Sequence, residues 1–250
     1  MPETIYQDLP FEEAIAFFRQ KIDLATATWT DIWKAEHTKA FVVAGAIKAD
    51  LLQDLHDAVD RAISEGTTLE TFRKSFDEIV QKHGWSYKGG RNWRTRVILE
   101  TNIRTAYAEG RWQQMTDPEL LKLRPYLLYR HGDSRNPRPH HLAWDGLVLP
   151  ADDPWWHTHY PPNGWGCKCR VFSISHRELA AMGKSGPDTA PDDGSYQWTD
   201  KRTGQEYTVP AGIDPGWDYN VGEKTDWVPD VTKYMAGLEK YLTQELEQYL

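Results

Sequence analysis

Cysteine is nearly missing from this 250-residue chain. The two present, Cys167 and Cys169, are too few for a disulfide framework, and they lie too close in sequence to bridge each other without strain. A reducing compartment is therefore expected. Long apolar runs are missing as well: the longest, Ala40 to Ile47, is eight residues, far below the ~18 to 20 that a bilayer-crossing helix needs. Met1 to Pro10 contains Glu3 and Asp8 but neither Lys nor Arg, which speaks against a secretory signal. His-Glu-x-x-His, Gly-x-Ser-x-Gly, the phosphate-cradling glycine loops and the paired zinc-deaminase signature do not occur. No enzyme is expected on that ground. Internal repeats and low-complexity tracts are absent too.

What is abundant is tryptophan, twelve in all, with Trp144, Trp155, Trp156 and Trp165 close together in a segment rich in Pro and Gly. Such a segment orders through aromatic packing, so these four rings are expected to share one cluster. The net charge is −8, yet Tyr87 to Arg138 holds eleven Lys/Arg against five Asp/Glu. That band, through Arg91, Arg94, Arg96, Arg104 and Arg111, is a candidate surface for a partner or nucleic acid, although a solvated helix face with pairs such as Arg96 to Glu100 is the simpler account.

The hydrophobic pattern predicts α+β architecture. A helical half over residues 1–120 has Phe11, Ile15, Phe18 and Ile22 on one face, a helix from near Thr30 to Ser64, another opened by a capping box at Thr67 and Glu70, and a long one over Asn92 to Met115 with Leu99, Ile103, Ala106 and Tyr107 on a common face. A Trp-rich β domain over 121–182 follows, with strands at Tyr126 to Tyr129, Gly146 to Leu149 and Cys169 to Ile174 and a short helix at Ser175 to Met182. An extended arm over 183–228 carries a hairpin around Lys201 to Gly204, and a C-terminal helix runs from Val231 to Leu250. Both terminal helices have apolar faces suited to docking on another subunit or on the body of the chain.

Six of the nine histidines and both cysteines fall between His131 and His176. In an extended chain Cys167 and Cys169 share a face, as do His157 and His159, so a structural zinc held by the two thiolates, His159 and one of His140 or His141 is chemically reasonable. A small zinc knot would then sit in the β domain. Two other readings stay open: thiols that are simply buried apolar groups, and a metal-dependent hydrolase or nuclease built from Asp133, His140, His141, His157 and His159, with Asp152 or Asp153 handling a water.

Asp133-Ser134-Arg135, Arg138-Pro139-His140-His141, Asp145-Gly146, Asp152-Asp153-Pro154-Trp155-Trp156 and Pro161-Pro162-Asn163-Gly164-Trp165-Gly166-Cys167-Lys168-Cys169-Arg170-Val171 together closely resemble the phage Mu protein F-like family. These are minor head, or head morphogenesis, proteins of tailed phages and prophages. Thr101 to Arg111 and Gly212 to Gly222 resemble it on either side. The resemblance places the family's recurrent histidines at His141 and His159, which with Cys167 and Cys169 gives the expected zinc set. It implies a virion component assembled in the host cytoplasm, with the portal or major capsid protein as partners, packaged DNA as a further contact, and no membrane.

Overall fold

The computed structural model describes residues 11–134 and 136–228. Helix α1 (Glu12–Arg19) buries Ala14, Ile15, Phe17 and Phe18. It ends before Ile22, which instead pairs in a two-residue parallel ladder of β1 (Ile22–Asp23) with β2 (Ala40–Phe41) and is 41% exposed. The helix expected over Thr30 to Ser64 is therefore broken. Its first half is loop, a short 3₁₀ turn at Lys34–Thr38 and β2, and helix α2 begins only at Ala49 and runs to Glu65. Gly45, at φ +84°, makes the turn between them, a backbone angle that disfavours any residue with a Cβ.

Helix α3 (Leu69–His83) is capped by Thr68, whose hydroxyl accepts from the Thr71 N–H, rather than by Thr67. Helix α4 (Arg91–Met115) is the central rod, packed by α1, α2, α3 and, near its C-terminal half, the later sheet. Of its predicted face Leu99 and Ala106 are buried, Ile103 is half-buried and Tyr107 is exposed. Helix α5 (Pro118–Leu123), capped by Asp117, leads into the sheet.

That sheet is antiparallel, in the order β4 (Val148–Pro150), β3 (Tyr126–Arg130), β5 (Arg170–Ile174). Alternation along β3 sends Leu127 and Tyr129 into the main core, while Tyr126 and Leu128 pack with Val148, Ile174 and Leu179. Leu179 belongs to helix α8 (His176–Ala181), entered through a reciprocal Ser175–Glu178 capping box. Two short helices, α6 (Pro139–Ala143) and α7 (Trp156–His159), lie between the strands. The hairpin β6 (Ser195–Thr199) and β7 (Glu206–Pro210) forms where the sequence places it. The architecture is thus α+β with helices concentrated in the N-terminal half. The helix expected from Val231 to Leu250 lies outside the described residues.

Candidate functional site

At the end of the sheet the ladder closes with Arg130 opposite Arg170, and just beyond it Gly132 passes the Cys167–Cys169 segment so closely that a Cβ there would lie 1.9 Å from the Lys168 carbonyl oxygen. Only a glycine fits that approach. Cys169 stands immediately before β5, and Cys167 reaches the same place from the turn closed by its N–H to the Gly164 carbonyl.

His141 arrives from α6, a helix started by Pro139 at its first position. Its ring is buried and stacked on Trp144, with centroids 5.2 Å apart. The Nε2–H donates to the Gly212 carbonyl at 2.9 Å, which fixes the tautomer and leaves the Nδ1 lone pair facing the sulfurs. From Nδ1 it is 3.8 Å to Cys167 Sγ and 3.4 Å to Cys169 Sγ, and all three ligand atoms lie within 4.8 Å of one another. A tetrahedral zinc, with Zn–S about 2.3 Å and Zn–N about 2.0 Å, separates sulfur from nitrogen by roughly 3.5 Å. The cluster already has that spacing.

The sulfurs are also cradled by donors. Backbone N–H groups of Asn163 and Cys169 point at Cys167, and the Gly132 N–H points at Cys169. The buried Tyr129 hydroxyl lies against Cys169 and donates to Asn163 Oδ1 at 3.0 Å. The Cys169 thiol is pulled far below its ordinary value, first by the hydrogen bond from Cys167, with the Gly132 N–H adding to it. Cys167 is pushed up by the same bond and by burial. Together they hold one thiolate, the form a soft metal ion requires, at the edge of the core.

His159 does not join them. In an extended chain it would share a face with His157, but both lie in the helical turn α7, where residues two apart diverge by about 200°. His157 turns outward to Glu223, and His159 turns inward, stacked on Trp155 with centroids 4.3 Å apart. The Trp155 carbonyl and Thr158 hydroxyl occupy its Nδ1. Burial holds its pKa down at about 4.

Trp144, Trp155 and Trp156 share one cluster through contacts of 5.4 and 5.1 Å. Trp165 is the exception: it is 40% exposed and contacts Trp29 and Trp217 in a separate aromatic group. Of the hydrolase reading's residues, His141 alone belongs to the cluster among the described residues. Asp153 instead accepts the Trp155 N–H at 2.9 Å, as a turn-closing Asp does.

The arginine band is largely spoken for within the chain. Arg91 pairs with Asp77, Arg94 donates to the Ala44 carbonyl beneath Trp85, and Arg96 and Arg104 share Glu100. Arg111 reaches the neutral Gln114.

Several residues that support the centre have no recognisable local chemistry in the sequence. Arg138 grips Asp214 in a fork of 3.2 and 2.5 Å, and Asp214 in turn accepts the Trp165 N–H and donates its own N–H to the Asn163 carbonyl. This lock holds the Gly212 carbonyl against His141 and the Asn163 loop against the cysteines. The only signal for them was their presence inside the resembling stretches, far apart in sequence.

Residues 53–172 match the family described as phage Mu protein F like protein. Among curated proteins, the candidate capsid assembly protein F of Escherichia phage Mu is 34% identical over 244 residues, covering 86% of this chain and 54% of that protein. The Mu-like prophage FluMu F protein of Haemophilus influenzae is 33% identical over 223 residues, covering 79% of this chain and 53% of its own length. The chain thus spans about half the length of these relatives. No solved structure matches it.

Proposed function

Residues 53–172 place this chain in the phage Mu protein F-like family, and on that premise we propose that it serves head assembly in a Mu-like phage as a structural component of the particle. The observation that carries this reading is the identity to one phage and one prophage F protein over most of the chain. On this reading its partners are other head proteins, with the portal and the major capsid protein the natural candidates. The arginine band adds little to DNA contact, because Arg91, Arg94, Arg96 and Arg104 already have partners within the chain. No described helix is long and apolar enough to cross a membrane.

Within this role the His141–Cys167–Cys169 cluster would hold a structural zinc, chosen by the two soft thiolates and one imidazole, with the fourth position left to water or a donor outside the cluster. When bound, the ion would supply a crosslink. The chain's own part is orientation: Gly212 fixes the His141 tautomer, the backbone N–H groups stabilise the sulfurs, and Trp144 stacks on the His141 ring. An induced prophage in which this gene is interrupted should release few infectious heads, with yield restored by the wild-type chain and poorly by Cys167→Ser with Cys169→Ser. Normal yield without the chain would overturn the assembly role.

A further inference from the structure

A cleft of about 710 Å³ separates the C-terminal half of α4 from the segment 167–172. Arg104, Arg111, Arg130, Lys168 and Arg170 line it, with Asp133 as the one lining carboxylate. Glu100 and Asp145 offset Arg104 and Arg130, but Arg111 has a neutral partner, Arg170 sits over the Tyr107 ring at 5.8 Å, and Lys168 makes no ion pair among the described residues. The cleft therefore keeps an excess of positive charge. Tyr107 and Phe172, 43% and 42% exposed, add apolar ground to the same lining.

One wall of the cleft is also a sheet edge. In the order β4, β3, β5, the strand β5 has a neighbour on one side alone among the described residues. The Tyr129 N–H donates to the Leu147 carbonyl on the β4 side, so the alternating ladder turns Leu128 and Arg130 toward Phe172 and Arg170, their partners on β5. Val171 and Ser173 therefore aim their backbone groups away from β3. Arg124 donates to the Ser173 carbonyl at 2.6 Å. The Val171 N–H and carbonyl and the Ser173 N–H meet no partner among the described residues. A phosphodiester backbone brings acceptors alone and would leave the Val171 carbonyl bare. An extended peptide brings N–H and C=O in alternation at the spacing of a strand, and acidic side chains on it would meet the cations at the same time. We infer that the cleft takes an extended acidic segment of another protein, added as a further strand beside β5. Its carboxylates lie against Arg111, Lys168 and Arg170, and its apolar side chains on Tyr107 and Phe172. This inference concerns one surface of the chain and stands apart from the head-assembly reading.

The test titrates a blocked, fluorescent peptide of alternating Glu and Val into the full-length chain, followed by polarisation and by hydrogen exchange. Saturable binding is expected, weakening several-fold in high salt, with amide exchange in 171–173 slowed several-fold. Lys168→Glu with Arg170→Glu, both exposed side chains, and separately Arg111→Glu on the opposite wall, should each weaken binding by about tenfold. The same peptide N-methylated throughout keeps every side chain and charge but no backbone donor, and it should not bind. The proposal is overturned by the absence of saturable binding, by equal binding of the N-methylated peptide, by unchanged exchange in 171–173, or by displacement of the peptide by an oligothymidylate.

Discussion

Gly132 is the residue on which the centre's geometry most visibly depends. A methyl group there would lie 1.9 Å from the Lys168 carbonyl oxygen, a backbone atom that cannot swing aside, and would push the Cys169 strand away from the Gly132 N–H. Gly132→Ala is thus expected to cost roughly 2 to 4 kcal/mol and to weaken metal uptake, read by urea unfolding and by metal content. His159 gives a prediction of the opposite kind, because it is buried as a neutral ring with its pKa held at about 4 by desolvation. Its unfolded value is near 6.5, so between these values the unfolded chain binds more protons and stability falls as the solution is acidified. The slope from this residue approaches about 1.4 kcal/mol per pH unit below pH 6.5, and urea midpoints at pH 7 and pH 5 should differ less in His159→Phe. The sequence displays the ligand chemistry of His141, Cys167 and Cys169, but not the exclusion of His159. Two residues apart means one face only in an extended chain, and a four-residue helical turn at Trp156–His159 removes that parity.

At the scale of elements, periodicity located α3, α4, the three-stranded sheet and the hairpin because each has a clean period and clear end signals. It missed the break before α2. The run Ala40 to Ile47 satisfies a helical pattern, yet Ala40, Phe41, Val43 and Ala46 are buried through a short strand and a glycine turn. A continuous apolar run of that length has no period of its own to distinguish the two. Capping shows a similar one-residue ambiguity, since Thr67 and Thr68 both precede suitable partners. Because the Thr68 hydroxyl receives the Thr71 N–H, Thr68→Ala should cost about 1 kcal/mol while Thr67→Ala should cost a few tenths at most. Equal losses in thermal unfolding of the two variants would contradict that cap assignment.

Across the whole molecule, one core joins Ala14 of α1 to Val221 near the end of the described chain and takes in the Trp144, Trp155 and Trp156 rings. The candidate centre sits where that core meets three segments distant in sequence: α6, the cysteine loop and the Gly212–Asp214 turn. An ion held by His141, Cys167 and Cys169 would tie α6 to the cysteine loop, and the Gly212 carbonyl brings in the third, the kind of clamp a component of a large particle can use to keep its shape during assembly. The measurement that tests this most directly is the zinc content of the purified full-length chain, taken with its thermal midpoint before and after chelation. The account predicts about one zinc per chain and a midpoint that drops by more than about 5 °C once the ion is removed, as a loss of about 2 kcal/mol produces in a chain of this size. A chain that purifies essentially free of metal, takes up none when zinc is added, and melts at the same temperature with and without chelator would contradict it.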